Sequence, residues 1–99
     1  MTLPVVLINT FSIPKGSEED FVKMWTEALE FIKNEPGFID AKLHRSLDSD
    51  ARFQFINVAH WESQEAWKAA FSKLALQEEI VKQLPFEQNP ALYRVEVAY

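Results

Sequence analysis

The sequence contains no cysteine, only two glycines and no long apolar run. Without cysteine the chain cannot form disulfides, thiolate metal sites, iron–sulfur clusters or thiol nucleophiles. Two isolated glycines exclude the glycine-rich loops that bind nucleotide phosphates. The longest apolar run, residues 5–8, is far shorter than the roughly 20 residues that cross a bilayer. No signal-peptide pattern is visible, so we expect a cytoplasmic protein that does not bind membranes.

Positive charge is also scarce. Ten Lys and Arg residues stand against fifteen Asp and Glu residues, which gives a formal net charge of -5. Nucleic-acid binding relies on an excess of basic side chains, so we do not expect it here. The two histidines, His44 and His60, lie far apart without carboxylates at ligand spacing. We therefore expect no metal site.

Aromatic residues, in contrast, are abundant: eight Phe, three Trp and two Tyr among 99 residues. This length predicts a single domain spanning residues 1–99. Such a small domain buries only about 60–65% of the surface that its unfolded chain exposes. So many large apolar side chains require either a dense core or burial between subunits.

The spacing of apolar residues predicts six elements in the order strand, helix, strand, strand, helix, strand. Ser17 is predicted to cap the first helix because acidic residues follow it in the first turn. Pro36 is predicted to end that helix, since the residue before a proline avoids helical geometry. The predicted ranges are strands at 3–13, 38–46, 52–60 and 91–99, helices at 17–35 and 62–74, a further helical piece at 76–84 and a loop at 85–90.

The β-α-β-β-α-β order indicates an α+β, ferredoxin-like fold in which two helices cover one face of an antiparallel sheet. The first and third strands are apolar on both faces, which is typical of strands covered on both sides. A second copy of the sheet, related by a twofold axis, would cover the open face. We therefore expect a homodimer that forms a dimeric α+β barrel.

Several segments spread over most of the chain carry a family resemblance. They are Asn9 ahead of Ile13-Pro14-Lys15-Gly16, Phe21 and Trp25 in the first helix, Pro36-Gly37-Phe38, Leu43-His44-Arg45-Ser46, and Phe55-Ile56-Asn57-Val58-Ala59-His60-Trp61-Glu62-Ser63 followed by Glu65-Ala66. In this order and spacing the chain resembles the antibiotic biosynthesis monooxygenase family of dimeric α+β barrels. The resemblance implies the same fold, a homodimer, and a pocket between helices and sheet in each subunit.

The cofactor-independent oxygenases of that family imply a site around Asn57 and Trp61. The implied reaction oxidises a small electron-rich aromatic (a phenol, quinol or anthrone) with O₂ as co-substrate and no bound cofactor. The Asn57 amide and the Trp61 indole N–H are the expected catalytic groups, because both can donate to a negative substrate oxygen. Trp67 stands where the family pattern has a tyrosine, so no phenol hydroxyl is available there.

Five further residues are predicted to bind the substrate: Asn9, Trp25, Phe55, Trp67 and His44. Trp25 and Trp67 also fit a plain core role, because both recur at helical spacing. His44 and His60 are the two candidates for accepting a proton. His60 has the opposite strand parity to Asn57, so we expect it at the surface or in a dimer interface.

The haem-degrading branch of the family implies a different set of residues. Asn9 matches its first-strand asparagine, but the positions of its tryptophan and its haem-ligating histidine fall near Ala70 and Ile80. Haem binding or degradation is therefore not expected. The alternative from another functional class is a dimeric barrel that binds a small molecule without converting it.

Overall fold

The computed structural model describes residues 4–77 and 86–99. Within them the elements are β1 (Val5–Ser12), α1 (Glu18–Ile32), β2 (Phe38–Arg45), β3 (Phe55–Trp61), α2 (Gln64–Ala75) and β4 (Glu87–Tyr93). The strands form one antiparallel sheet in the order β2-β3-β1-β4. The predicted α+β, ferredoxin-like architecture is confirmed. No helix within these described ranges is long and apolar enough to cross a membrane.

The helix-covered face of the sheet carries the core, and burial alternates residue by residue along β1 and β3. One buried cluster contains Leu7, Ala59, Trp61 and Ala70. The other contains Phe11, Phe21, Met24 and Phe55. Asn9 and Asn57, which face each other in the β1–β3 register, are buried polar residues on the same face, at strand positions between the two clusters. The core is thus divided by two amides.

The opposite face of the sheet has no covering layer among the described residues. Its centre is apolar: Ile8 of β1 lies beside Val58 of β3, and the half-buried Ile56 is the next residue of β3 on the same face. Towards one edge, His60 Nδ1 lies 2.6 Å from Asp40 Oδ1. This hydrogen bond holds the pKa of the Asp40 carboxyl below its usual value.

The last strand differs from its prediction. The sequence predicted a loop at 85–90 and a strand at 91–99, whereas β4 spans Glu87–Tyr93 and residues 94–99 are outside the sheet. Pro90 lies within β4, which pairs with β1 alone. A sheet edge tolerates proline because its missing N–H costs no ladder hydrogen bond there.

Other predicted boundaries shift by a few residues. α1 ends at Ile32, three residues earlier than predicted, and β3 begins at Phe55, three residues later than predicted. Ser17 occupies the N-cap position of α1, but its side chain makes no capping bond. Ser63 does cap α2, with its hydroxyl accepting from Ala66 N–H at 3.1 Å. The helical piece predicted at 76–84 lies almost entirely outside the described residues.

Candidate functional site

A cavity of about 260 Å³ lies between the helices and the covered face of the sheet. The sheet supplies its polar atoms, and the two helices supply apolar walls. Its lining includes Asn9, Asn57, Trp61 and Gln88 from the sheet, Met24, Trp25, Ala28 and Leu29 from α1, and Trp67, Phe71 and Leu74 from α2. The helical residues recur at spacings of three and four, which places them on one face of each helix.

Asn57 lies in the middle of β3 and is 8% exposed. Its Oδ1 atom is buried and has no hydrogen-bond partner among the described residues. Leaving a buried polar group unpaired costs about 1–3 kcal/mol. An asparagine retained at this cost is available to hydrogen-bond a ligand in the cavity.

Asn9, directly opposite in the register, has both polar atoms of its amide hydrogen-bonded. Its Nδ2 donates to Gln88 Oε1 at 3.1 Å, and its Oδ1 accepts from the Asn89 backbone N–H at 3.0 Å. These bonds tie β1 to the edge strand β4. Asn9 is therefore held in place by the protein itself, whereas Asn57 is not.

Trp61 is the last residue of β3 and is 2% exposed. Its ring packs edge-on against Phe38, with 5.4 Å between ring centroids. Its Nε1 atom is buried without an acceptor among the described residues. Buried indole N–H groups normally find an acceptor, and Trp61 is one of the residues that line the cavity, so a bound ligand could supply it.

The structure brings five of the predicted site residues to this cavity: Asn9, Trp25, Asn57, Trp61 and Trp67. All three tryptophans of the chain are among them. Their spacing on one strand and two helices was visible in the sequence, and the fold places them around one space.

Two predicted substrate-binding residues are not brought to the cavity. Phe55 is buried in the core cluster, where its ring stacks on Phe21 with 4.8 Å between centroids. His44 is exposed on β2 opposite Ile56, a residue of the open face. Because neighbouring strand positions point to opposite faces, His44 and His60 both point away from the cavity.

Gln88 is a lining residue that the sequence prediction missed. It lies on β4, and its Oε1 accepts from Asn9 Nδ2. The prediction of a loop at 85–90 concealed it. The available signal was the two-residue period of Phe86, Gln88 and Leu92, which is typical of one strand face.

None of the described side chains lining this cavity is ionisable. Among residues 4–77 and 86–99 there is also no group of three or more His, Cys, Asp or Glu side chains that could hold a metal ion. The cavity can therefore hold a flat apolar molecule and offer it hydrogen bonds, but these side chains cannot take up its proton near neutral pH.

Comparison with known proteins decides the family. The model of the antibiotic biosynthesis monooxygenase family matches residues 4–78. The chain belongs to this family. A mycobilin-producing haem oxygenase of Mycobacterium tuberculosis is 36% identical over 67 residues. That match covers 68% of this chain and 62% of the relative, which is less than two thirds of the relative's length.

Solved structures of antibiotic biosynthesis monooxygenase relatives share the fold over nearly the whole chain. A candidate monooxygenase from Shewanella loihica PV-4 is 35% identical with a TM-score of 0.87, and 99% of each chain is covered. SnoaB, a cofactor-independent oxygenase from Streptomyces nogalater, is 20% identical with a TM-score of 0.77, covering 96% of this chain and 95% of that one. At that identity the likeness to SnoaB shows the fold alone.

One relative is a haem oxygenase, and a haem bound in this cavity would need a side chain that ligates its iron. Haem iron in proteins is held by His, by Cys or Tyr, or by Met together with His. Met24 is the only one of these residue types among the described lining residues. The chain contains no cysteine, and both histidines point away from the cavity. The described lining therefore does not fit axial ligation of haem.

Proposed function

We propose that this chain oxygenates a small electron-rich aromatic of the phenol, quinol or anthrone type, using O₂ without a bound cofactor. The observation that carries the proposal is the pair of buried, unpartnered polar atoms, Asn57 Oδ1 and Trp61 Nε1. They border a cavity whose remaining walls are mainly aromatic and aliphatic. A flat ring bearing an oxygen substituent would satisfy both atoms and fill the space between them.

The chemistry draws all its electrons from the substrate. Loss of a proton gives an anion, which passes one electron to O₂, and combination of the resulting radical pair attaches oxygen to carbon. For an anthrone the methylene carbon becomes a carbonyl. One atom of O₂ enters that carbonyl, and the other leaves as water with the two methylene hydrogens.

In this reaction Trp61 donates its indole N–H to the negative oxygen of the substrate. The Asn57 amide supplies a second contact. The Oδ1 atom of Asn57 has no partner among the described residues, so a half-turn of the amide can present either its NH₂ or its carbonyl to the substrate. Donors fixed in an apolar cavity stabilise developing charge more than the same donors in water.

One finding supports oxygenation without a cofactor over haem degradation: the described lining of the cavity offers no His, Cys or Tyr that could ligate haem iron. The fold does not separate the two activities, since the cofactor-independent oxygenase SnoaB and the haem-degrading protein MhuD of Mycobacterium tuberculosis both have it. The haem oxygenase relative makes haem the second candidate, and a cavity that only binds its ligand is the third.

We also propose that the protein is a homodimer in which the open sheet faces meet. The centre of that face carries Ile8, Ile56 and Val58, and no described helix covers it. The β4 residue Tyr93 is 52% exposed beside this face. A second copy would bury these side chains and complete the barrel.

The test is oxygen consumption by the purified, metal-stripped protein supplied with dithranol, an anthrone. We expect uptake well above the autoxidation blank, with one O₂ consumed per dithranol converted. Asn57→Ala should lower the rate about 100-fold or more, since removing one oxyanion donor typically costs 10²–10³ in rate. The matched control is Asn34→Ala, which removes an exposed asparagine in the turn after α1 and should keep the rate.

Two results would overturn this proposal. One is uptake that never exceeds the blank with dithranol or with simple naphthoquinols. The other is activity that disappears on metal stripping and returns only with haem or a metal ion. Stoichiometric ligand binding without O₂ consumption would instead establish the binding module.

A further inference from the structure

The cavity lacks charge on every wall that the structure describes. Its lining side chains are aliphatic, phenyl or thioether groups together with three amides and three indoles. Trp61, Asn57 and Asn9 are all buried there, at 2%, 8% and 5% exposure. An ion placed among them would lose its hydration and gain no opposite charge.

Charged groups near the cavity engage each other instead of facing into it. Lys73 Nζ lies 3.1 Å from Glu35 Oε2, and these two residues line a separate hollow beside Gly37. Arg45 lies 3.4 Å from Glu19 and packs over the outer side of Phe55. Neither described cation is available to a ligand carboxylate in the cavity.

The free polar atoms fit a neutral hydroxyl. A phenol or enol O–H can donate to the Asn57 carbonyl, while a substrate oxygen accepts from the Trp61 N–H. Gln88, at the exposed start of β4, adds a further amide to the lining. The described lining thus provides hydrogen bonds for oxygen atoms on the ring, including the one that becomes negative in the reaction, and no cationic side chain to pair with a carboxylate elsewhere on the ligand.

We propose that the cavity selects uncharged ligands: planar aromatics that carry hydroxyl or keto groups but no carboxylate, sulfonate or phosphate. This inference deepens the proposed function, on which it rests for the identity of the site. None of the described lining residues can act as a base near neutral pH, so the proton that the bound substrate loses passes to water.

The test measures binding rather than turnover. All three tryptophans line the cavity, so a ligand entering it changes the intrinsic fluorescence of the protein. Under nitrogen, the protein is titrated with 1,4-dihydroxy-2-naphthoic acid and with its methyl ester, which matches the acid in ring system and polar groups but carries no charge. At pH 7.5 we expect the ester to bind at least tenfold more tightly than the carboxylate.

A charge introduced at Gln88 supplies the complementary test. Gln88→Lys should raise the affinity for the carboxylate relative to that for the ester at least fivefold over the same ratio in the wild-type protein. The control Gln88→Met removes the same amide, and with it the bond to Asn9, without adding charge. If Gln88→Met strengthens carboxylate binding as much as Gln88→Lys, charge selection is wrong.

The inference and the proposed function can fail separately. Equal affinity for acid and ester, or no fluorescence change with either, overturns charge selection whatever the oxygen electrode reports. Preferential binding of the ester by a protein that consumes no O₂ keeps charge selection and removes the oxygenase.

Discussion

Asn9 and Asn57 are the same residue type, lie opposite each other in the β1–β3 register, and are both buried. They differ in what surrounds the amide. Asn9 bonds Gln88 and the backbone of Asn89, whereas the Oδ1 of Asn57 has no partner among the described residues. Asn9 therefore contributes to the stability of the sheet. Asn57 lowers that stability, and its carbonyl oxygen stays free to bind a ligand.

Replacing each asparagine by leucine separates these two contributions. Asn57→Leu removes an unsatisfied buried amide, and we expect the free energy of unfolding to rise by about 1 kcal/mol while oxygenation is lost. Asn9→Leu leaves Asn89 N–H and Gln88 unpaired, and we expect a fall of about 1–3 kcal/mol. Urea unfolding of both variants measures the difference. A destabilised Asn57→Leu would show that the Asn57 amide is satisfied in the folded protein.

The sequence alone located part of this site. Asn57 and Trp61 share strand parity and lie on one predicted strand, so their common face followed from the two-residue period. The positions of Gln88, His44 and Phe55 relative to the cavity became clear only from the pairing of the strands. His44 and Phe55 could be assigned to a face only once the β2–β3 register and the packing of Phe21 were known.

At the scale of elements, the strands and helices that carry strong apolar periodicity were predicted in type and order. β4 was displaced because its first residues, Glu87, Gln88 and Asn89, are polar and Pro90 follows them. The two-residue period of Phe86, Gln88 and Leu92 was the one local signal, and the pairing with β1 is what makes this segment a strand. Residues 94–99 alternate like a strand but lie outside the sheet.

The two helix starts give a prediction with a built-in control. Ser63 accepts a hydrogen bond from Ala66 N–H, whereas the Ser17 side chain makes no capping bond. Ser63→Ala should lower the free energy of unfolding by about 1 kcal/mol, which corresponds to roughly 4–8 °C in Tm for a domain of this size. Ser17→Ala should shift Tm by less than half as much. Equal shifts in thermal unfolding would contradict this assignment of the caps.

At the scale of the whole molecule, the apolar side chains of the open sheet face remain to be accounted for. The segment after β4 adds to them, since Val95 and Val97 are 71% and 69% exposed. A homodimer formed through the open face would bury the sheet residues. The Asp40–His60 pair lies on the same face and would then sit at the margin of the interface.

Light scattering tests this assembly. The wild-type chain of 11.5 kDa should show twice that mass at micromolar concentration. Val58→Asp places a charge in the centre of the open face, and we expect it to give a monomer with an unchanged circular dichroism spectrum. Thr26→Asp, on the exposed side of α1, should remain dimeric. A wild-type monomer at tens of micromolar would rule out the sheet-to-sheet dimer.

The layering of the cavity has a consequence for how this protein can change over generations. The atoms proposed to bind the reacting oxygen belong to the sheet, while α1 and α2 supply the apolar walls through residues such as Ala28, Leu29 and Phe71. Substituting a wall residue alters the size of the ring that fits and leaves Asn57 and Trp61 where they are. Under the proposed function, substitutions in the two helices can therefore admit new substrates while the sheet keeps the reaction unchanged.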